Sequence, residues 1–361
     1  MAIGLVLAVV AATGWVRLSS RPVRVSRHGA DRDLVEGDDV WVGLEVQTTS
    51  VLPPPTLVAH ERPGRLGERR VELASSWAAG HSARYALSAV PRGRYVFEAV
   101  RLTIEDPFAL ARAELVQGES QALVVYPRLV ELDRLFSEGG AHTQEGRRLL
   151  LRRPTGFDLH SVREHEHGES LRMVHWRSTA HRGQLMVKEL EDAPRDEVAV
   201  LLDGDASAVV GDSFDVGVRA AGSILQAHHR RGRRCAVVVN SAARESQTIA
   251  SAGDWHRALE LLAAAEPTAR TPVFAHLHGD GGVAARSLEL VVVTSRVDVR
   301  LVDRLVQRAL SRHGVSLVYV ETVPAPQPLL LRLQAAGIPV AVVRSGGDLA
   351  AALGAPKARV A

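Results

Sequence analysis

Only one cysteine, Cys235, occurs among the 361 residues. One thiol permits neither an internal disulfide nor a thiolate metal cluster, and its place in the strand-like run CAVVVN is that of a buried structural thiol. Charge of one sign is lacking too: 44 basic residues stand against 41 acidic ones, for a formal charge of +3. The basic residues alternate with acids along the chain, so no phosphate-binding footprint forms and no nucleic-acid partner is expected. Several motifs are missing from the second half. No G-x-G-x-x-G follows its first strand, no P-loop lysine motif occurs, and Ser207 lies in no G-x-S-x-G elbow, which removes nucleotide-cofactor and serine-hydrolase readings.

A long apolar run is absent as well. Residues 1–16, MAIGLVLAVVAATGWV, carry no charged side chain, and Arg17, Arg21, Arg24, Arg27 and Arg32 follow. A membrane-crossing helix needs about 20 residues, so this run falls short by a turn, and it lacks the basic start of a signal peptide. The expectation is nevertheless a membrane segment over residues 1–20, with Trp15 at the interface. The arginines then hold the bulk of the chain on the cytoplasmic side of the inner membrane, in contact with lipid. The alternative is a cytoplasmic chain whose apolar start is a buried first strand or has lost a partner helix.

What is present is globular: 46% hydrophobic residues with 30 Gly and 17 Pro, in a chain longer than one core usually serves, so two domains are expected. Residues 22–128 hold strand-like runs at 40–47, 71–76, 83–90, 94–104 and 121–127, separated by LPPP, PGRLGE, AAGHS and PRG. Such spacing predicts an antiparallel β-sandwich. Asp106 before Pro107 reads as a turn brace. A connector, 129–155, offers a short helix over Leu129, Leu132 and Leu135, then a basic cluster from Arg147 to Arg153.

Residues 156–190 form a charged band with five basic side chains, five acidic ones and five histidines. Arg presents a planar fork of donors that carboxylates accept in pairs. The band therefore reads as an interdomain clasp or an interaction surface built from Arg163, Glu164, Glu169, Arg172, His175, Trp176, Arg177, Ser178, Lys188 and Glu189. A zinc site is not expected from its histidines, because no recognised ligand spacing occurs.

The same residues carry a family resemblance. The chain has Arg163, Glu164, Gly168, Arg172, Trp176, Thr179, Ala180, Gly183, Leu185, Val187 and Glu189 in the pattern R-E-Y-x-x-G-D-x-x-R-x-I-x-W-x-x-(S/T)-A-R-x-G-x-L-x-V-x-E. It thus resembles the bacterial domain of unknown function family numbered 58, and PRGRYVF at 91–97, DPF at 106–108 and VVYPRL at 124–129 extend the likeness. Val174 is a mild change from Ile, while His165, Glu169 and His181 replace Tyr, Asp and Arg, changes that suit mutual satisfaction better than strict chemistry on a small substrate. The resemblance implies a von Willebrand factor A-like carboxy-terminal domain. It also implies a membrane-associated partner of a MoxR-type AAA+ ATPase, acting in assembly or maturation of other proteins.

Residues 191–361 alternate apolar strands with helices, which predicts an α/β domain with a mostly parallel sheet. The run EVAVLLD ends in Asp203, with Asp205 and Ser207 just beyond, where open α/β sheets collect ligands. In von Willebrand-like domains this loop reads D-x-S-x-S, so Asp203, Asp205 and Ser207 are the candidate metal ligands and Mg²⁺ the ion they would suit. No other cofactor is expected. The expected fold is mixed, a β-sandwich followed by this α/β domain, and the expected function is a non-enzymatic scaffold. The alternative is a divalent-metal hydrolase using Asp203 and Asp205, with His175 or Glu164 as general base.

Overall fold

A computed structural model describes residues 2–19, 23–29, 34–48, 56–76, 80–106, 108–138, 158–164, 174–191, 198–277, 282–311, 313–324 and 326–354. Two compact units result, Met1–Arg128 with Leu259–Ala265, and Leu129–Ala258 with Glu266–Ala361.

The first unit opens on helix α1 (Ala2–Ser19) and continues as strands β1 (Val23–His28), β2 (Leu34–Val35), β3 (Val40–Thr48), β4 (Thr56–Glu61), β5 (Arg69–Ser76), β6 (Gly80–Leu87), β7 (Gly93–Phe97), β8 (Val100–Glu105), β9 (Arg112–Gln117) and β10 (Gln121–Tyr126). Seven of them form an antiparallel sheet in the order β1-β3-β6-β5-β4-β8-β9, and β2, β10 and β7 form a second, three-stranded sheet. The large sheet curls until its two edges meet, since a Cβ built on Gly118, just after β9, would lie 3.6 Å from the Cβ of Val25 in β1. Inside the curl, Leu44, Val46, Leu57, Ala59, Leu102 and Ile104 make one apolar cluster. Each strand supplies alternate residues to it, as the two-residue period of a strand requires. The apolar run 94–104 divides into β7 and β8 at Glu98 and Ala99. Asp106 does brace a turn, accepting from Phe108 N at 2.9 Å and Ala111 N at 2.5 Å.

Helix α1 corrects the membrane expectation. Among the described residues no helix is long and apolar enough to cross a membrane, which overturns both the transmembrane segment and the inner-membrane location. The helix has 18 residues and includes Arg17, about 27 Å at 1.5 Å per residue against the ~30 Å of a hydrocarbon layer. Two of its side chains are already engaged: Ala12 is buried, and Val16 joins the cluster inside the curled sheet.

The second unit begins with a short 3₁₀ turn, Phe136–Glu138, in place of the expected helix. It continues with β11 (Asp158–Glu164), helix α2 (Trp176–Arg182) and β12 (Met186–Glu191), then β13 (Val198–Asp203), α3 (Ser213–Arg230), β14 (Cys235–Asn240), β15 (Ser246–Ile249), α4 (Ala252–Ala264, which from Leu259 on is counted with the first unit), α5 (Gly282–Arg286), β16 (Glu289–Thr294), α6 (Val299–Leu310), β17 (Gly314–Glu321), α7 (Gln327–Ala335), β18 (Val340–Arg344) and α8 (Leu349–Leu353). The main sheet runs β15-β14-β13-β16-β17-β18, parallel except for the antiparallel edge strand β15. Every residue of β13 and β14 is buried, as expected of parallel strands covered on both faces. On one face Gly217 of α3 lets that helix approach Leu202, Val293 and Val320, with a Cβ built there falling 3.4 to 3.7 Å from all three. On the other, Leu201, Val292 and Leu317 pack with Leu301, Leu305 and Leu333 from α6 and α7. The short run VFAHL is a 3₁₀ helix over Val273–Leu277.

Candidate functional site

The sheet order reverses beside β13: the chain goes from β13 to β14 on one side and returns to β16 on the other. Crevices outside the carboxyl ends of strands at such a reversal are where open α/β sheets bind ligands. Asp203 ends β13 there, directly opposite Asn240, the last residue of β14, and Thr294 ends β16. Gly204 lets the chain turn out of β13 against this edge. Its N–H donates to Asn240 O at 3.0 Å, and a Cβ would stand only 2.4 Å from that oxygen.

Asp203 is 9% exposed and heavily hydrogen-bonded. Its Oδ1 accepts from Asn240 Nδ2 at 2.9 Å and from Asp205 N at 3.2 Å, while Thr294 Oγ1 stands 2.7 Å from Oδ2. Burial pushes the Asp203 carboxyl above the usual range, against the opposing pull of the Thr294 and Asn240 hydrogen bonds. Thr294 Oγ1 also accepts from Arg296 N and lies 3.0 Å from Arg296 O. Its single proton accommodates either state of the acid. Turned to Oδ2 it serves a carboxylate; turned to the Arg296 carbonyl it leaves Thr294 to accept from protonated Asp203. Behind Asp203 the network continues, since Asn240 Nδ2 donates to Thr271 O at 3.0 Å and Asn240 Oδ1 accepts from His276 Nε2 at 2.9 Å. Burial, then the charge of Arg244, holds the His276 pKa below its ordinary value.

Asp205 and Ser207 form the outer part of the site. Asp205 Oδ1 accepts from Ser207 N at 2.9 Å and from Ser207 Oγ at 2.7 Å. The Arg296 guanidinium donates from Nη1 to Ser207 Oγ at 3.1 Å and stands 3.6 Å from Asp205 Oδ2. The sequence-predicted residues Asp203, Asp205 and Ser207 therefore gather at one edge together with Thr294. Asn240, His276 and Arg296 were not singled out, although Asn240 and Arg296 carry a signal, each being a polar residue that closes or follows an apolar strand run.

The arrangement does not fit a divalent ion. Three donors already face the two oxygens of Asp203, Ser207 spends its proton on Asp205, and Arg296 supplies the positive charge beside them. Among the described residues no three His, Cys, Asp or Glu side chains gather closely enough to hold a metal. Mg²⁺ needs near-octahedral oxygen donors, and to reach Asp205 and Ser207 it would have to displace the guanidinium.

The charged band folds as a β-α-β element. β11 pairs antiparallel with β12, Arg163 opposite Val187 and Glu164 opposite Met186, and Lys188 and Glu189 fall opposite Val162 and Ser161. Glu169 and Arg172 lie outside the described residues. Helix α2 starts at His175, whose Nδ1 accepts from Ser178 N at 3.2 Å and from Ser178 Oγ at 2.8 Å. It stops at Gly183, whose φ of 70° is a left-handed cap. Met186 N donates to Thr179 Oγ1 at 3.0 Å and His175 N to Met186 O at 2.7 Å, closing the helix onto β12. Trp176 and Arg177 project outward, and Trp176 is 66% exposed.

Residues 161–323, from β11 to just past β17, match the family described as Protein of unknown function DUF58. The chain carries a DUF58 domain. This domain spans both the β-α-β element and the Asp203 edge. YeaD of Bacillus subtilis (strain 168), described as an uncharacterized protein, is 26% identical to the chain over 223 residues, which are 59% of this chain and 53% of the relative. The chain thus spans about half the length of that curated protein. Among solved structures, a conjugative transposon lipoprotein from Bacteroides eggerthii DSM 20697 shares 15% identity over 29% of this chain and 98% of its own, with a TM-score of 0.19. Cwp6 from Clostridium difficile shares 8% identity over 88% of this chain and 49% of its own, with a TM-score of 0.21. Scores this low carry no argument about fold or function.

Proposed function

We propose that the DUF58 domain is a non-catalytic, von Willebrand factor A-like interaction module that works with a MoxR-type AAA+ ATPase in the assembly or maturation of other proteins. Support comes from the sheet order β15-β14-β13-β16-β17-β18 with its antiparallel edge strand, from the acidic loop at the end of β13, and from the resemblance of the charged band to partner proteins of such ATPases. The observation that carries the reading is the state of the acids. Asp203 and Asp205 are engaged by Asn240, Thr294, Ser207 and Arg296, which rigidifies the edge and commits these two acids to partners within the protein.

A second reading, a divalent-metal hydrolase, is favoured by one feature: Asp203, Asp205, Ser207 and Thr294 do converge at the switch of the sheet. The proposed general base His175 is engaged by Ser178 at the start of its own helix. Binding of a purified MoxR-type ATPase from the same genome to the full-length chain separates the readings. The interaction module keeps its affinity in EDTA and weakens at least about tenfold, or 1.4 kcal/mol, in the Asp205→Ala/Ser207→Ala variant. Unchanged binding by that variant rejects the top edge as the ATPase contact. Saturable Mg²⁺ or Mn²⁺ binding by calorimetry, lost in the same variant, supports the hydrolase.

A further inference from the structure

The guanidinium of Arg296 lies at the carboxyl edge of the sheet, beside Asp205 and Ser207, with its side chain 60% exposed. One nitrogen, Nη1, is committed to Ser207 and Asp205, whereas Nε and Nη2 make no hydrogen bond to any described residue. The backbone beneath is fixed, because Thr294 Oγ1 contacts both Arg296 N and Arg296 O at 3.0 Å. An anchored backbone with an open pair of donors is the geometry that receives a planar carboxylate through two parallel bonds. Acids nearby are satisfied within the protein: Asp298 caps α6 through Leu301 N at 2.8 Å, and Asp205 takes two hydrogen bonds from Ser207. Further cations lie near this network, Arg300 standing 6.0 Å over the Phe274 ring and Arg244 acting on His276.

We infer that Arg296 is the receptor for a side-chain carboxylate of the partner, an acidic segment that docks at the carboxyl edge of the sheet on a protein cation and not through a bound metal ion. The inference rests on the interaction reading above and names the chemistry of its partner.

The test uses the full-length chain and a hexaglutamate peptide with fluorescein on its amino end and an amide at its carboxyl end, with binding followed by fluorescence anisotropy at low salt. Two comparison peptides are hexaglutamine, amidated or with a free carboxyl end. Wild type is expected to bind the Glu peptide in preference to both Gln peptides, equally with and without EDTA. Arg296→Glu is expected to weaken binding at least about tenfold and Arg296→Lys by less, because a lysine keeps the charge and loses the fork. Arg62→Glu, an exposed arginine of the first unit, is expected to leave binding unchanged. Thermal melts confirm folding, and Arg296→Gln substitutes if Arg296→Glu unfolds. The inference is overturned if wild type shows no preference for the Glu peptide, if the Arg296 variants bind as well as wild type, if EDTA abolishes binding, or if the free-ended Gln peptide binds equally. ATPase binding retained alongside any of these failures leaves the interaction reading standing, and its loss takes both down.

Discussion

His81 is 1% exposed in β6, and neither of its ring nitrogens has a hydrogen-bond partner among the described residues. Burial holds its pKa below the ordinary 6.5, so the imidazole stays neutral where the unfolded chain would take up a proton. The sign follows from linkage. Between the depressed folded value and 6.5 the unfolded state binds more protons, so stability is intact above 6.5 and is lost as pH falls through that window. His81→Leu removes an unsatisfied polar group from an apolar site. It is expected to raise stability at neutral pH by about 1–3 kcal/mol and to flatten the fall in urea midpoint below pH 6.5; an unchanged pH profile counts against this account. Asp203 behaves differently because its partners remain when it is changed. Asp203→Asn keeps an acceptor for Asn240 Nδ2 and presents a donor to Thr294, so it is expected to cost less than about 1 kcal/mol. Asp203→Ala strands buried polar groups and costs about 1–3 kcal/mol more, a difference read from urea midpoints of the two variants.

Among the elements, β1, β4 and β6 are joined by a buried charge network. Arg27 donates from Nε and Nη2 to Glu61 Oε1 at 3.1 and 2.7 Å, Tyr85 Oη donates to Glu61 Oε2, and the guanidinium lies 4.8 Å over the Phe97 ring. Burial, followed by the hydrogen bond to Glu61, pushes the Tyr85 pKa up. Glu61→Ala leaves a buried arginine unpaired and is expected to cost about 3–5 kcal/mol, measured by chemical denaturation; a loss under 1 kcal/mol shows the pair to be dispensable. Strands of this unit were readable because alternate residues enter one core, and the parallel strands β13, β14, β16 and β17 because unbroken apolar runs have no other way to be buried. Short elements carry too few periods to read. Helix α2 has seven residues, the 3₁₀ helix Val273–Leu277 five and β15 four, each about one or two periods long. The apolar start was read as a membrane segment because composition does not reveal that Val16 packs inside a curled sheet.

At the scale of the whole molecule, the DUF58 match covers the β-α-β element and the first five strands of the main sheet, but not β18 or the curled sheet. The acidic loop was legible as a candidate site because Asp203, Asp205 and Ser207 follow a buried strand. Its chemistry was not, because Asn240, Thr294 and Arg296 reach it from distant stretches that only the sheet order brings together. The most direct measurement is hydrogen–deuterium exchange on the full-length chain with and without the MoxR-type ATPase. The interaction reading predicts slower exchange on binding at 204–210, 241–245 and 295–299, the loops beyond β13, β14 and β16. Protection confined to the curled sheet or to the amino ends of the parallel strands would contradict it.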